Sequence, residues 1–165
     1  MTLLDLIKQF EGCKLKAYKC PAGVWTIGWG STFYMDGSKV KEGDTITQAD
    51  ADIMLEKTVE NFRSQVVRFV PGTLPSGAVD ALTSFSFNCG TAALQKSTLL
   101  KRIKENPLNL KEIEAEFNKW TKAAGKILPG LVRRRAMEYK MYADAVLGQY
   151  TKKECYDMGV EHGGK

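Results

Sequence analysis

This 165-residue sequence contains a single histidine, His162, which lies in a glycine-rich stretch at residues 161–165. A Ser-His-Asp or Cys-His catalytic site, or a histidine metal site, would have to use that residue. The sequence also lacks a CxxC pair among its four cysteines, Cys13, Cys20, Cys89 and Cys155, so we predict no metal site and no other cofactor. If the chain is an enzyme, its carboxylates are expected to carry the chemistry.

Long apolar runs are also missing, because no stretch approaches the roughly 20 residues that a membrane span needs. Asp5 and Lys8 interrupt the first apolar stretch, which is typical of an amphipathic helix rather than a signal peptide. Without a secretion signal, free thiols in a reducing compartment are expected. The net charge of +5 favours an anionic partner such as nucleic acid, a membrane surface or the cell wall. No basic stripe interleaved with aromatics supports nucleic-acid binding.

Apolar spacing and turn residues predict a helix followed by a hairpin at the start of the chain. Residues 3–11 have helical periodicity, and Gly12 stands where a C-cap glycine belongs. Residues 20–23 place proline second and glycine fourth, as a type I turn prefers, and apolar residues flank them. A further short strand is predicted around residues 38–40.

The remainder of the chain is predicted to be mostly helical. A capping pattern at Thr47 starts a long helix that reaches about Phe69. Later helices are predicted to follow Pro75, to cover residues 98–103, to contain Ile113, Phe117 and Trp120, and to begin at Pro129 with Leu131, Met137, Met141 and Ala145 facing inwards. The predicted fold class is α+β with two lobes. The small N-terminal lobe covers about 12–60, the helical C-terminal lobe about 61–150 with the first helix packed on it, and a tail covers 151–165. A cleft between the lobes would suit an extended substrate.

Glu11 is the first candidate catalytic residue, because it is predicted to end the first helix just before Gly12. A helix C-terminus carries partial negative charge, and this field together with partial burial disfavours the ionised carboxylate. A carboxylic acid that keeps its proton can protonate the leaving group in glycoside hydrolysis. Position alone favours an ordinary surface glutamate, so a catalytic role for Glu11 depends on the pattern of the surrounding residues.

The residues after Glu11 form a longer pattern. Glu11, Cys20 and Thr26 are separated by eight and then five residues, and the run TIGWG begins at Thr26. Two further blocks follow in order, residues 84–90 with 97–100 and residues 120–126 with 130–138. With these three blocks, from about residue 10 to 142, the chain resembles the T4-type phage lysozymes, the muramidases of glycoside hydrolase family 24, whose signature allows aspartate or cysteine at the second position.

The resemblance implies an endolysin that hydrolyses the β-1,4 bond between N-acetylmuramic acid and N-acetylglucosamine in peptidoglycan and lyses bacterial cells. It implies that Glu11 protonates the glycosidic oxygen, that Thr26 helps to hold the attacking water, and that the anomeric centre is inverted. The role of Cys20 stays open, because a thiol with a pKa of about 8.5 is only partly ionised at neutral pH. It is a general base, a nucleophile that forms a glycosyl thioether, or a passive group that orients water.

The resemblance also implies contacts outside this pattern. One arginine of residues 133–135 reaches towards the catalytic glutamate, with Arg134 favoured over Arg135. Such a cation would favour the ionised carboxylate, against the helix-end effect. The substrate-binding candidates are Gly30, Phe87, Asn88, Ser97 and Thr98, with Gly30 allowing a sugar to approach the backbone.

The expected partner is the peptidoglycan glycan strand, with no nucleic acid and no membrane insertion, and the chain is expected to act as a monomer. A phage or prophage enzyme of this kind would accumulate in the host cytoplasm and need a separate membrane pore to reach the wall. Three alternatives stay open. One is a peptidoglycan- or chitin-binding module without hydrolysis, and another is a basic nucleic-acid-binding protein. The third is a lytic transglycosylase, which also uses one glutamate but leaves an anhydro-muramic end.

Overall fold

The computed structural model describes residues 1–149, and these divide into two compact units, Met1–Asn61 and the described residues from Phe62 onwards. The elements in chain order are α1 Leu3–Phe10, β1 Lys14–Lys19, β2 Trp25–Gly28, α2 Gln48–Val67, α3 Ser76–Cys89, α4 Thr91–Lys96, α5 Thr98–Glu105, α6 Leu110–Phe117, β3 Lys122–Ala123, β4 Lys126–Ile127 and α7 Pro129–Gly148. This mixture of helices and small antiparallel sheets confirms the predicted α+β class. The predicted tail from residue 151, with Cys155 and His162, lies outside the described residues.

The first helix begins with a capping box. Thr2 Oγ1 accepts from the Asp5 amide at 3.1 Å, and Asp5 Oδ2 accepts from the Thr2 amide at 3.0 Å, so two otherwise unpaired N–H groups are satisfied. The helix ends at Phe10, and Glu11 is its C-cap with φ −100° and ψ 137°. Gly12 is not among the glycines with positive φ. The predicted glycine cap is therefore wrong, because the extended backbone of Glu11 already leads the chain towards β1.

The turn between β1 and β2 forms as its sequence predicts. The Gly23 amide donates to the Cys20 carbonyl at 2.8 Å, and the Cys20 amide donates to the Val24 carbonyl at 3.0 Å. Pro21 supplies the fixed φ that the second position of such a turn prefers. The further strand predicted around residues 38–40 is reduced to a single bridge between Phe33 and Lys39.

One core cluster of the N-terminal unit consists of Ala17, Ile27, Val40 and Met54, with Trp25, Tyr34 and Ile46 packed against it. The unit also buries Leu6, Ile7, Ala51 and Leu55. Thr47 Oγ1 accepts from the Asp50 amide at 3.1 Å, as the capping pattern predicts. Ile53 of α2 is apolar but 51% exposed, so not every apolar residue of this helix faces the core.

The C-terminal unit is built on the packing of α3 against α7. A Cβ atom added at Gly77 would lie 2.9 Å from the Cβ of Ala145, so glycine is what lets the two helices approach this closely. Phe85 of α3 lies edge-on to Phe117 and Trp120, with ring centroids 6.0 and 5.2 Å apart. Trp120 lies beyond the end of α6, which corrects the prediction that it belongs to that helix.

Three short elements were not predicted. Helix α4 has six residues, fewer than two turns, so it shows no helical periodicity. Strands β3 and β4 have two residues each and are joined by Ala124 and Gly125, whose φ values are 51° and 79°. Positive φ at both turn residues is the geometry of a two-residue hairpin turn, and only Gly125 signals it in the sequence.

No helix among residues 1–149 is long and apolar enough to cross a membrane.

Candidate active site

The hairpin brings Cys20 and Thr26 together. In the β1–β2 ladder Tyr18 pairs with Thr26 and Lys19 with Trp25, so Cys20 follows directly after the last paired residue. Thr26 is 4% exposed, and its hydroxyl donates to the Val24 carbonyl at 3.0 Å. Since a hydroxyl has only one proton, this bond leaves the Thr26 oxygen able to accept from a water molecule.

The Cys20 thiol lies in surroundings that favour its ionised form. Hydrogen bonds from the backbone, first at Val24 and then at Ala22, are the main cause that holds the pKa of Cys20 below its ordinary value. Burial raises the pKa of the Cys89 thiol instead. Cys13, Cys20 and Cys89 are all free, so of these Cys20 has the electrostatic character of a reactive group.

Glu11 is half-buried where α1 ends. Its amide donates to the Ile7 carbonyl at 3.1 Å, which fixes its backbone to the last turn of the helix. Glu11 is thus the C-cap residue and not, as the sequence predicts, the last residue of the helix. Only residues 12 and 13 separate Glu11 from β1, so the acid and the hairpin belong to one continuous segment.

A cluster around Asp52 of α2 ties this segment together. Asp52 Oδ1 accepts from Trp29 Nε1 at 2.9 Å and from Gln48 Nε2 at 3.0 Å, and lies 3.4 Å from Lys8 Nζ. The Trp29 bond, followed by those of Gln48 and Lys8, lowers the pKa of Asp52. Lys8 is on α1 and Trp29 follows β2, so one carboxylate links the helix that leads to Glu11 with the strand that carries Thr26. Sequence analysis missed this cluster because its members lie far apart in the chain.

Three of the predicted substrate contacts differ in exposure. Gly30 is exposed with φ +100° and has no atom within 4 Å of an added Cβ, so the space above it is open. Phe87 is half-buried against Phe62, with ring centroids 5.4 Å apart. Asn88 is exposed, and its Oδ1 accepts from Arg135 Nη2. This bond turns the amide so that its two N–H donors remain available.

Ser97 and Thr98 border a groove of about 470 Å³ at the start of α5. Ser97 is the N-cap residue: its hydroxyl donates to the Leu94 carbonyl at 2.6 Å and accepts from the Leu100 amide at 3.0 Å. Its only proton is therefore used within the fold, and a ligand could reach it only as an acceptor. Thr98 is exposed and is the freer of the two predicted contacts.

Arg134 and Arg135 are buried, with 2% and 0% of their surfaces exposed, and so is Glu138. Glu138 accepts from Arg135 Nη1, from Arg134 Nε at 3.3 Å, and from the Ser84 hydroxyl at 2.6 Å. Arg135 also donates through Nε to the Trp120 carbonyl at 2.9 Å. Sequence analysis did not single out Glu138 as a site residue, although its spacing of three and four from two arginines is a signal for helix ion pairs. Which arginine approaches Glu11 stays a prediction.

Two serines on α3 allow the contribution of this hydrogen-bond network to the free energy of unfolding to be measured. Ser84 and Ser86 are both fully buried, but within residues 1–149 the Ser86 hydroxyl has no hydrogen-bond partner, whereas Ser84 bonds Glu138. We expect Ser84→Ala to lower the free energy of unfolding by about 1.5–3 kcal/mol, the range for a bond to a charged group. Ser86→Ala should be neutral or stabilising by up to about 1 kcal/mol, since it removes a buried unpaired group. Urea unfolding measures both, and equal effects of the two substitutions would contradict this account.

No group of three or more His, Cys, Asp or Glu side chains within residues 1–149 is arranged to hold a metal ion.

Comparison with known proteins identifies the family. The family model described as phage lysozyme matches residues 8–138, which includes Glu11, Cys20, Thr26 and the buried arginines. The chain is 38% identical over 146 residues to an endolysin of Acyrthosiphon pisum secondary endosymbiont phage 1, covering 86% of this chain and 95% of that protein. For matching endolysins of Bacillus and Lactococcus phages, the chain spans only 51–57% of their length.

Solved structures agree with this assignment. An endolysin from Escherichia coli O157:H7 phage FAHEc1 superposes with a TM-score of 0.75 and 37% identity, covering 86% of this chain and 90% of that one. The muramidase domain of SpmX from Asticaccaulis excentricus superposes with a TM-score of 0.72 and 33% identity, covering 85% and 93%. The resemblance drawn from the three sequence blocks is confirmed: the chain belongs to the phage lysozyme family.

Proposed function

We propose that this glycosidase is a lysozyme of the endolysin type, which hydrolyses the β-1,4 bond between N-acetylmuramic acid and N-acetylglucosamine in peptidoglycan and so lyses bacterial cells. The observation that carries the proposal is the segment from Glu11 to Thr26. It places a carboxylic acid, an ionisable thiol and a hydroxyl oxygen on one short piece of chain. The match of the phage lysozyme family to residues 8–138 covers this whole segment.

Glu11 is the general acid in this proposal. It gives its proton to the glycosidic oxygen as the bond to the anomeric carbon breaks, so that the leaving sugar departs as an alcohol. Its anchored backbone and half-buried position limit where the carboxyl can go. Such restraint is what a proton donor needs, because transfer requires hydrogen-bond distance to the leaving oxygen.

Cys20 is proposed as the general base and Thr26 as its partner. Water attacks the anomeric carbon and loses its proton to the Cys20 thiolate, while the Thr26 oxygen accepts from the other O–H and fixes the direction of attack. The lowered pKa of Cys20 supports this role, because it raises the thiolate fraction near neutral pH. Attack by water from the side opposite the leaving group inverts the anomeric centre.

The sugar contacts are proposed to come from Gly30, Phe87 and Asn88. Gly30 offers exposed backbone without a side chain, and Phe87 offers part of an aromatic ring. The Asn88 amide donors suit an acetamido carbonyl of the sugar. Arg135 is then a positioning residue, because its bond to Asn88 Oδ1 decides which end of the amide faces outwards.

The endolysin relatives support a proposal for the setting of the reaction. In this proposal the chain accumulates in the host cytoplasm and acts as a monomer on the wall after a separate membrane lesion has formed. Attraction between its net charge of +5 and the anionic wall assists binding.

Analysis of the reaction products tests the proposal. Purified sacculi are incubated with the protein, and the soluble fragments are examined by mass spectrometry. Hydrolysis yields fragments that end in reducing N-acetylmuramic acid, and we expect these to be the main product. Anhydro-muramic ends would instead indicate a lytic transglycosylase. Binding to sacculi without any soluble fragment would indicate a non-hydrolytic binding module, and either outcome would overturn the proposal.

A further inference from the structure

The proposed acid and the hydroxyl that holds water lie on two different elements. Glu11 caps α1, whereas Thr26 is on β2. The chain between them runs through β1, whose pairing with β2 shifts register between Lys14 and Tyr18. An irregularity of this kind lets a strand bend, so β1 by itself does not fix the separation between Glu11 and Thr26.

The end of β2 is fixed to α2 by close packing. Gly28, the last residue of β2, has φ +65°, and a Cβ atom added there would lie 3.4 Å from the Cβ of Ala51. Ala51 is fully buried. The next residue of each element forms a hydrogen bond, in which Trp29 Nε1 donates to Asp52 Oδ1 at 2.9 Å. The strand that carries Thr26 is therefore anchored on the first two turns of α2.

Asp52 also contacts the last turn of α1. Lys8 stands three residues before Glu11, and its Nζ lies 3.4 Å from Asp52 Oδ1 and 5.5 Å from the centre of the Trp29 ring. An ammonium group at this distance from an aromatic face is attracted to it. Gln48, one turn before Asp52, donates to the same oxygen at 3.0 Å. Three contacts thus converge on one carboxylate oxygen, which joins α1 to the end of β2.

These contacts are better suited to positioning than to stabilising the fold. The buried residues of α1 end at Ile7, so the contact between Lys8 and Asp52 extends the anchoring of the helix to its last turn. The side chains of Lys8 and Asp52 are 32% and 40% exposed, and ion pairs in contact with water contribute little to the free energy of unfolding.

We propose that Asp52 is a positioning residue for the hydrolysis, an inference that rests on the proposed function. Asp52 holds the end of α1, and with it the Glu11 carboxyl, at a set distance from the strand that carries Thr26. An inverting glycosidase needs room for a water molecule between its two groups, while its acid stays within hydrogen-bond distance of the leaving oxygen. A displacement of about 1 Å can cost about 10²-fold in rate. Loss of Asp52 therefore slows the chemical step and leaves substrate binding largely unchanged.

Two alanine variants test this inference on glycan strands, at a temperature where both are folded. Asp44 is the matched control, because it is a carboxylate of the same unit that also accepts from an aromatic side chain, Tyr34 Oη at 2.6 Å. We expect Asp52→Ala to lower kcat about 10–100-fold with KM within about twofold, and Asp44→Ala to leave both within about twofold. Asp52→Asn keeps an oxygen that can accept from Trp29 and Gln48, so its kcat should recover to within about threefold of the unchanged protein.

A substrate that needs no acid shows whether Asp52 acts through Glu11. The dinitrophenyl glycoside of a cell-wall oligosaccharide loses a stable phenolate, which departs without a proton from the protein. The packing of Gly28 on Ala51 keeps β2 in place, so Asp52→Ala should lower kcat on this substrate by no more than about threefold. A purely structural defect would lower kcat on both substrates by the same factor. That result, or equal activity of Asp52→Ala and Asp44→Ala on glycan strands, would overturn the inference.

Hydrogen exchange separates this inference from the proposed function, because it requires no catalysis. The Glu11 amide donates to the Ile7 carbonyl, and we expect it to exchange about tenfold faster in Asp52→Ala than in Asp44→Ala. If Glu11→Gln is inactive but exchange and kcat are the same in both alanine variants, only this inference fails. If Glu11→Gln lyses cells at the unchanged rate while the exchange differs as expected, Asp52 holds the end of α1 and the proposed reaction is what fails.

Discussion

Glu11→Gln is expected to reduce the rate of cell-wall lysis by about 10²–10⁴-fold, the usual contribution of a general acid. Glutamine keeps the size and the hydrogen-bonding capacity of the side chain but has no proton to give to the departing sugar oxygen. Without that proton the leaving group would depart as an alkoxide, which is far less stable than an alcohol. The fall in turbidity of permeabilised bacterial cells measures the rate.

A matched control comes from the same unit. Glu42 is exposed in the loop before α2, so Glu42→Gln makes the same chemical change away from the hairpin and should leave the rate unchanged. Thermal unfolding and binding to sacculi should be similar for both variants. Lysis by Glu11→Gln at the rate of the unchanged protein would remove Glu11 from the mechanism.

Cys20→Ala is expected to lower kcat by about 10²-fold or more if the thiolate is the base that activates water. Because the pKa of Cys20 is lowered, the limb of the pH profile that belongs to the thiol should lie below the ordinary thiol value of about 8.5. Cys20→Asp should retain a base, and its pH profile should rise near the carboxylate value of about 4 instead. Cys13→Ala, which changes another free thiol of the same unit, is the control and should leave the profile unaltered.

The other two roles of Cys20 give different results. A passive thiol would leave Cys20→Ala with most of its activity. A nucleophile would form a glycosyl thioether, detectable as an adduct by mass spectrometry, and would retain the anomeric configuration, whereas a base leads to inversion. Iodoacetamide provides an independent check, since it should modify Cys20 faster than Cys89, whose pKa is raised by burial.

Features that depend on neighbouring residues could be predicted from the sequence. The turn at residues 20–23 and the cap at Thr47 each involve four adjacent residues, and both form as predicted. The end of α1 was placed one residue too late, because glycine at position 12 suggested a cap that the backbone of Glu11 makes unnecessary. The end of a helix of this kind is determined by the position of the element that follows it, here β1, which the local sequence does not reveal.

Features that depend on distant residues were not predictable in the same way. The last helix illustrates this, since the apolar residues Leu131, Met137, Met141 and Ala145 are half-buried, while two arginines and a glutamate are buried together with Tyr142, Ala143 and Val146. Hydropathy predicts charged side chains outside. They can be inside here because Ser84, Asn88 and the Trp120 carbonyl supply partners, and nothing in the local sequence reveals that. The proposed roles of Glu11, Cys20 and Thr26 came from spacing that matches a family.

The buried arginines and Glu138 also restrict how the C-terminal unit can assemble. Leucines that slide by one helical turn, about 5.4 Å, still meet other apolar side chains. The same slip of α7 would carry three charges away from Ser84, Asn88 and the Trp120 carbonyl. The ion pairs of Glu138 with Arg134 and Arg135 lie within α7 and would move with it, but each lost hydrogen bond between a charged group and a partner outside the helix costs about 1.5–3 kcal/mol. The cluster therefore contributes to the specificity of folding, because it destabilises misaligned packings of α7 more than it stabilises the aligned one.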